Sequence, residues 1–262
     1  MDSTDIKSYH VHEFDPVQLL EDFYSSRAEK MIVEEATNRH IEYLYKELSS
    51  GHIKGDMLID FSVGPVISHL LPICEFFKEI TVLEFNAVCI SELEKWRSSH
   101  EEAYDWSHAS KYMMDLEGKY DGWQEKEEML RRKMNRILKC DLTKDNLTDP
   151  IVLPKADCII AAHILNVVSI DKDAYISNLR KITSLLKPGG RLILFGLSNA
   201  SYYITGGHKF RILTYDEEFV KKVLNDERYT IESFETQDRK TSSHIIDHEK
   251  IIFAIAMKQG ES

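Results

Sequence analysis

The sequence predicts an α/β protein: a mostly parallel seven-stranded sheet with helices on both faces and an N-terminal helical cap. Three observations carry this. From residue 57 onward, apolar runs too short for helices alternate with amphipathic stretches, the pattern of strands joined by crossover helices. The run Leu58-Ile59-Asp60-Phe61 passes straight into a tight turn, Ser62-Val63-Gly64-Pro65. Only 6 Pro and 11 Gly occur in 262 residues, with no Pro/Gly-rich linker and no repeat, so the chain reads as one domain with residues 1–50 as its cap and 51–262 as its core.

Taken in order, residues 16–24 and 28–48 have helical periodicity; in the second stretch Ile32, Ala36, Ile41, Leu44 and Leu48 recur every three to five positions. A strand is expected over 57–61 after the Lys54-Gly55-Asp56 turn, a helix over 66–77, a strand over 80–85 and a helix over 88–98. The charged stretch 120–139 reads as a solvated amphipathic helix running into a strand at 136–140. A strand at 157–162 and a helix at 173–186 follow, the helix stopped by Lys187-Pro188-Gly189-Gly190. A buried strand at 191–196, a helix at 216–224 and two closing strands at 229–235 and 250–257 complete the alternation.

Composition narrows the ligand. Lys and Arg number 33 against 44 Asp and Glu, a net charge of -11, and no basic block exists to neutralise phosphates, which argues against nucleic-acid or anionic-membrane partners. A small molecule is the expected ligand. Cys74, Cys89, Cys140 and Cys158 match neither a metal knuckle nor a secreted disulfide framework, so free thiols in a reducing cytoplasm are expected. The first 14 residues lack a signal-peptide layout and no apolar run reaches membrane-spanning length. His10-Val11-His12 has no further ligands spaced around it and reads as an exposed segment, so no metal site is expected.

In parallel α/β sheets, ligands sit beyond the carboxyl ends of the strands. Asp60 lies in the first of these strands, Glu84 ends the second, and Cys140-Asp141-Leu142 ends the third. A carboxylate at the second strand end can accept from both hydroxyls of a ribose, and one at the third from an adenine amino group. Each residue taken singly is as well explained as a turn cap or a solvated strand end. The first turn lacks the full G-x-G-x-x-G that a dinucleotide's pyrophosphate requires, so the set suits a nucleoside without phosphates better than a nicotinamide dinucleotide.

A family resemblance spans nearly the whole chain. It rests on Phe14-Asp15-Pro16 with Tyr24, Lys54-Gly55-Asp56-Met57-Leu58-Ile59-Asp60, Leu93-Glu94-Lys95-Trp96, Tyr104-Asp105-Trp106-Ser107, Trp123-Gln124-Glu125-Lys126-Glu127, Cys140-Asp141-Leu142-Thr143, Ala156-Asp157-Cys158 and Leu185-Leu186-Lys187-Pro188-Gly189-Gly190. The sequence resembles the small-molecule methyltransferases that use S-adenosyl-L-methionine: the nicotinamide, indolethylamine and phenylethanolamine N-methyltransferases and the thioether S-methyltransferase. The resemblance implies the class I methyltransferase fold, with S-adenosyl-L-homocysteine as product. It implies Tyr24 over the methionine end, Ser62, Val63 and Gly64 against it, Glu84 and Cys89 at the ribose, and Asp141 and Leu142 at the adenine, with Ala162 also on the cofactor. It assigns Leu19, His163, Gly196, Ala200 and Tyr203 to the methyl acceptor.

This chain departs from the family pattern at several of these positions. The family turn Asp-Ile-Gly-Ser-Gly-Pro reads Asp60-Phe61-Ser62-Val63-Gly64-Pro65 here, losing a glycine and a hydroxyl. Leu19 and Ser68 stand where tyrosines are usual, Cys89 where an asparagine is, and Glu84 where a shorter Asp is. Nicotinamide-specific members carry a carboxylate at the position of Gly196, so the resemblance points to an arylalkylamine acceptor before nicotinamide or a thioether. His163, with an ordinary pKa near 6.5, could take a proton from an alkylammonium, or could be a hydrogen-bonded strand end. The expected protein is a monomeric amine N-methyltransferase with no named catalytic residue. Its rival is a non-catalytic member with a degraded cofactor site.

Overall fold

The computed structural model describes residues 6–7 and 14–260. Its central sheet has seven strands in the order β4-β3-β2-β5-β6-β10-β9. These are β2 (Gly55–Ser62), β3 (Phe77–Glu84), β4 (Met134–Lys139), β5 (Ala156–Ala162), β6 (Leu186–Ser198), β9 (Tyr229–Asp238) and β10 (Lys250–Lys258). β4, β3, β2, β5 and β6 pair parallel, and β10 pairs antiparallel with both β6 and β9. Leu58, Ile59 and Phe61 in β2 and Ile159 and Ile160 in β5 are fully buried, as strands covered on both faces require. Strand order reverses between β2 and β5, which puts the crevice beyond Ser62 and Ala162.

Helix α1 (Pro16–Phe23) is capped by Asp15, whose Oδ1 accepts from the amides of Val17 (2.9 Å) and Gln18 (3.1 Å). The helix expected over 28–48 is present in three pieces: α2 (Lys30–Val33), a π-helical turn (Glu34–Asn38) and α3 (Arg39–Leu48). α4 (Ala87–Arg97), α6 (Trp123–Lys133), α8 (Lys172–Thr183) and α9 (Glu217–Asp226) lie within a few residues of expectation, whereas α5 (Ser107–Leu116) and α7 (Ile164–Val168) were not foreseen. A second sheet, in the order β1-β8-β7, joins β1 (Ile6–Lys7), β8 (His208–Arg211) and β7 (Tyr202–Thr205). His10 and His12 lie outside the described residues.

Two sequence expectations are corrected. Residues 66–77 form short 3₁₀ turns at Ser68–Leu70 and Cys74–Phe76, not one helix. The segment 64–74 is buried on every side and contains Pro72, which removes a donor and clashes with the preceding turn. The Pro188-Gly189-Gly190 step lies inside β6, which starts at Leu186; a register shift opposite Ala156 and Cys158 absorbs it, with Gly189 at φ +76°. Among the described residues no helix is long and apolar enough to cross a membrane.

Candidate functional site

An apolar-walled cleft opens beyond the carboxyl ends of β5 and β6. α1 supplies Leu19 and Phe23, the α2–α3 helix supplies Ile32, Glu35, Ala36 and His40, and the sheet side supplies Val63, His163 and Asn166; Tyr24, Tyr203 and His248 close it. The π turn places Glu35 and His40, five residues apart, on one inner wall, 6% and 4% exposed. Such single-turn bulges recur at functional sites. A smaller recess next to the cleft is lined by Ser62, Ser68, His69 and Ala162 and shares Tyr24, His40, Val63 and His163 with it.

Of the residues expected at the acceptor, Leu19, His163 and Tyr203 meet on this cleft, together with Tyr24 and Val63 from the cofactor set. Gly196 and Ala200 are not among its lining residues. A Cβ built on Gly196 would sit 2.6 Å from the Tyr215 hydroxyl, which donates to Asn166 Oδ1 at 2.6 Å. The position linked to nicotinamide recognition is therefore closed by a Tyr215–Asn166 pair, and a side chain there could not reach a ligand without moving it.

On the cofactor side, Glu84 is 1% exposed and its Oε1 accepts from the Asn86 amide at 2.8 Å; Cys89 is fully buried. Asp141 Oδ1 accepts from the Thr143 hydroxyl (2.7 Å) and amide (2.9 Å), which holds its carboxyl below the usual range. The Leu142 carbonyl accepts from Lys181 Nζ. Asp60, read as a cap or ligand contact, is instead 1% exposed, its Oδ1 meeting Ser62 Oγ at 2.6 Å and His69 Nε2 at 2.8 Å, with Ser62 Oγ 2.9 Å from that same nitrogen. Ser62 thus ties the turn to a buried Asp–His pair, a bond no glycine could make.

His40 and His163 meet Nε2 to Nε2 at 2.8 Å. His163 begins α7 in the left-handed region, φ 59°, and its amide donates to the Phe195 carbonyl at 2.9 Å. Burial, then the fields of His248 and His69, push its pKa down to about 3. Burial, with His163 and His69 adding, also drives His40 well below its ordinary value, opposed only by the Glu35 backbone. The expectation that His163 titrates near neutrality is corrected: both rings are neutral at pH 7. Burial pushes Glu35 up, but His248 and the amides of Lys240 and Thr241 outweigh it and leave the carboxyl below its usual value. Its Oε1 accepts from both amides, Thr241 at 2.9 Å. His248 Nε2 lies 3.2 Å from Oε2, yet off the hydrogen-bond axis, since neither His248 nitrogen has a partner among the described residues. Sequence reasoning missed His40, His69, Glu35 and His248. His69 stands in an apolar run and the other three among charged and polar neighbours, so nothing local marks them out and only the fold brings them together.

The donor set suits S-adenosylmethionine in its chemistry. Acids follow β3 and β4, and the turn after β2 carries Gly64 at φ +74°, a conformation glycine adopts freely. The space is less open. A Cβ on Gly64 would lie 2.4 Å from Leu19 Cδ2, and the buried Tyr203 phenol lies close enough to Cys89 and Glu84 that they add to the rise in its pKa after burial. Leu19 thus lies against the turn, and Tyr203 near the acid, that a nucleoside would approach.

The strand order, the reversal at β2 and β5 and the acids at successive strand ends define the class I methyltransferase fold. Solved structures with this fold include magnesium protoporphyrin IX methyltransferase from Synechocystis with bound SAM (TM-score 0.55, 12% identity, 95% of this chain and 100% of that one). Another is the N-methyltransferase NodS of Bradyrhizobium japonicum with S-adenosyl-L-homocysteine (TM-score 0.52, 14% identity, 95% and 94%). The model of the NNMT/PNMT/TEMT family matches residues 3–259. Human nicotinamide N-methyltransferase is 36% identical over 252 residues, 96% of each chain. Rabbit indolethylamine N-methyltransferase is 35% identical over 254 residues, 97% of this chain and 96% of that one, and phenylethanolamine N-methyltransferase of Macaca mulatta is 33% identical over 83% and 78%. The chain belongs to the NNMT/PNMT/TEMT family.

Proposed function

We propose that this protein methylates a small amine with an aromatic or otherwise apolar body, using S-adenosylmethionine. The observation that carries the reading is the apolar cleft beyond β5, walled by Tyr24 and Tyr203 and abutting the Gly64 turn. The relatives are named for nicotinamide, indolethylamine and phenylethanolamine as substrates. The bound cofactor supplies an activated methyl group on a sulfonium. Glu84 would hold the ribose, and Asp141 and Leu142 the adenine. Tyr24 would cover the methionine end, with Ser62, Val63 and Ala162 beside it. Leu19, Phe23, Tyr203 and Ile246 exclude water and confine the acceptor, and alignment within a dry cleft is what such a transfer chiefly needs. Four buried free thiols suit a reducing cytoplasm, and we take the working unit to be a monomer.

An arylalkylamine is the favoured acceptor, because the Gly196 position offers no carboxylate to a carboxamide and most of the cleft wall is apolar, from residues such as Leu19, Phe23, Ile32, Val63 and Ile246. Losing a charge-assisted hydrogen bond would cost nicotinamide about 1.5–3 kcal/mol. A panel assay with labelled S-adenosylmethionine is expected to give a higher kcat/KM for an arylalkylamine or a dialkyl sulfide than for nicotinamide. Nicotinamide as best acceptor would overturn the substrate assignment. Calorimetry showing no S-adenosylmethionine binding would overturn the enzyme assignment in favour of a non-catalytic member, the reading that Leu19 over Gly64 favours.

A further inference from the structure

Glu35 is the one acid among the residues lining the cleft, and no lysine or arginine is among them. It sits on the π turn between α2 and α3, 6% exposed, and shares the cavity with the apolar side chains of Phe23, Ile32 and Ile246. A carboxylate withdrawn from water at such a place costs free energy unless its oxygens are satisfied.

Its two oxygens are used differently. Oε1 accepts from the amides of Lys240 and Thr241, which fastens the α2–α3 helix to the chain after β9. That duty is structural and occupies one oxygen. Lys240 and Thr241 are not among the cleft's lining residues, whereas His248 is; the carboxylate edge that faces His248, Oε2, is therefore the edge on the cleft side. His248 Nε2 comes within 3.2 Å of Oε2, yet neither nitrogen of this buried ring has a hydrogen-bond partner among the described residues. Oε2 thus keeps acceptor capacity on the cleft wall. The other polar groups there are committed: His40 and His163 face each other, and the Asn166 side chain is spent on Tyr215 and the Leu197 carbonyl. An unfilled carboxylate oxygen in an apolar cavity gains most from a charged donor, because a hydrogen bond between ions is roughly twice as strong as one between neutral groups.

We propose that Glu35 is the specificity-determining residue for the acceptor's charge: Oε2 accepts a hydrogen bond from the ammonium group of the bound amine, so that the cleft prefers a cationic amine to an uncharged compound of the same shape. The inference rests on the methyltransferase reading and deepens it, naming the residue that recognises the amine. Phe23, Ile32 and Ile246 then receive the apolar body that the ammonium group carries.

Calorimetry in saturating S-adenosylhomocysteine at about pH 7.5 tests it without requiring turnover. The ligands are phenylethylamine, almost wholly cationic there because alkylamines titrate near about pH 10, and propylbenzene, its hydrocarbon isostere. Glu35→Gln keeps a carbonyl oxygen for the Lys240 and Thr241 amides, so its melting temperature is expected to stay near that of the wild type. Its Kd for phenylethylammonium is expected to rise about ten- to a hundredfold, the loss of one charge-assisted bond, and its Kd for propylbenzene to stay unchanged. Equal losses for both ligands would reduce Glu35 to a latch on the 240–241 chain, and an unchanged amine Kd would place the ammonium elsewhere; either overturns the proposal. The wild-type protein gives a second readout that does not depend on the variant's folding: the ¹³C resonance of the Glu35 carboxyl is expected to move with phenylethylammonium and not with propylbenzene, and a static resonance would overturn the proposal as well. Failure of the methyltransferase reading is separable, because it appears as absent S-adenosylhomocysteine binding, while both comparisons of amine with hydrocarbon run equally on the cofactor-free protein.

Discussion

Gly196 shows how far a single residue can be read without its neighbours. By its family resemblance it lacks an acceptor; in the fold it lies under the Tyr215 hydroxyl, 2.6 Å from where a Cβ would be. Gly196→Asp should therefore act first on stability, lowering it by about 3 kcal/mol by overpacking and by burying an unpaired carboxylate, rather than create a nicotinamide site. Chemical denaturation checks this, and a stable variant with improved nicotinamide turnover would contradict it. The neutral histidines have their own signature. A histidine whose folded pKa is depressed, as His163's is to about 3, costs nothing above the unfolded value near 6.5 and destabilises the fold as pH drops below it, because the unfolded chain then binds more protons. Stability should be flat above about pH 6.5 and fall toward pH 3, by up to about 1.4 kcal/mol per pH unit for each such ring. His163→Phe should flatten that slope, and an unchanged slope would mean that the ring titrates normally.

At the scale of elements, patterns with strong local causes came through and those with tertiary causes did not. α8 starts at Asp171, whose Oδ1 accepts from the Ala174 amide at 2.7 Å, and α9 at Asp216, whose Oδ1 accepts from the Phe219 amide at 2.9 Å. Asp216→Ala should cost about 1 kcal/mol, read as a lower denaturation midpoint with an unchanged slope; no shift would mean that packing alone starts the helix. The segment 66–77 offered apolar residues at helical spacing, but with every side buried there was no polar face to keep it α-helical, and Pro72 broke the ladder. The π turn at Glu34–Asn38 was equally invisible, because one extra residue in a helix leaves periodicity almost unchanged over so short a stretch. Its consequence is large: it sets Glu35 and His40 on the same wall.

At the scale of the molecule, α1 packs on α4 and β7 and its Leu19 lies over the Gly64 turn that the cofactor must approach. Leu19→Ala should lower the melting temperature of the free protein, since truncating a buried leucine costs about 2–5 kcal/mol. It should also enlarge the rise in melting temperature given by S-adenosylhomocysteine, which scales with affinity. Glu84→Ala should abolish that rise. A smaller ligand shift in Leu19→Ala would make Leu19 a contact for the cofactor, not its obstacle.

The sequence by itself determined the seven strands, their alternation with helices, the family and the acids at the strand ends. All of these follow from local periodicity, turn chemistry and residues near in sequence. Tertiary structure alone decided what the strand ends face. His40 meets His163 across 123 positions, Glu35 meets Thr241 across 206, and Tyr215 closes over Gly196 from a separate segment. Such contacts have no periodicity to announce them, because their cost and benefit arise only when distant segments exclude water together. The neutrality of the histidines belongs to the same class, since an imidazole's charge is set by its surroundings rather than by its neighbours in the chain.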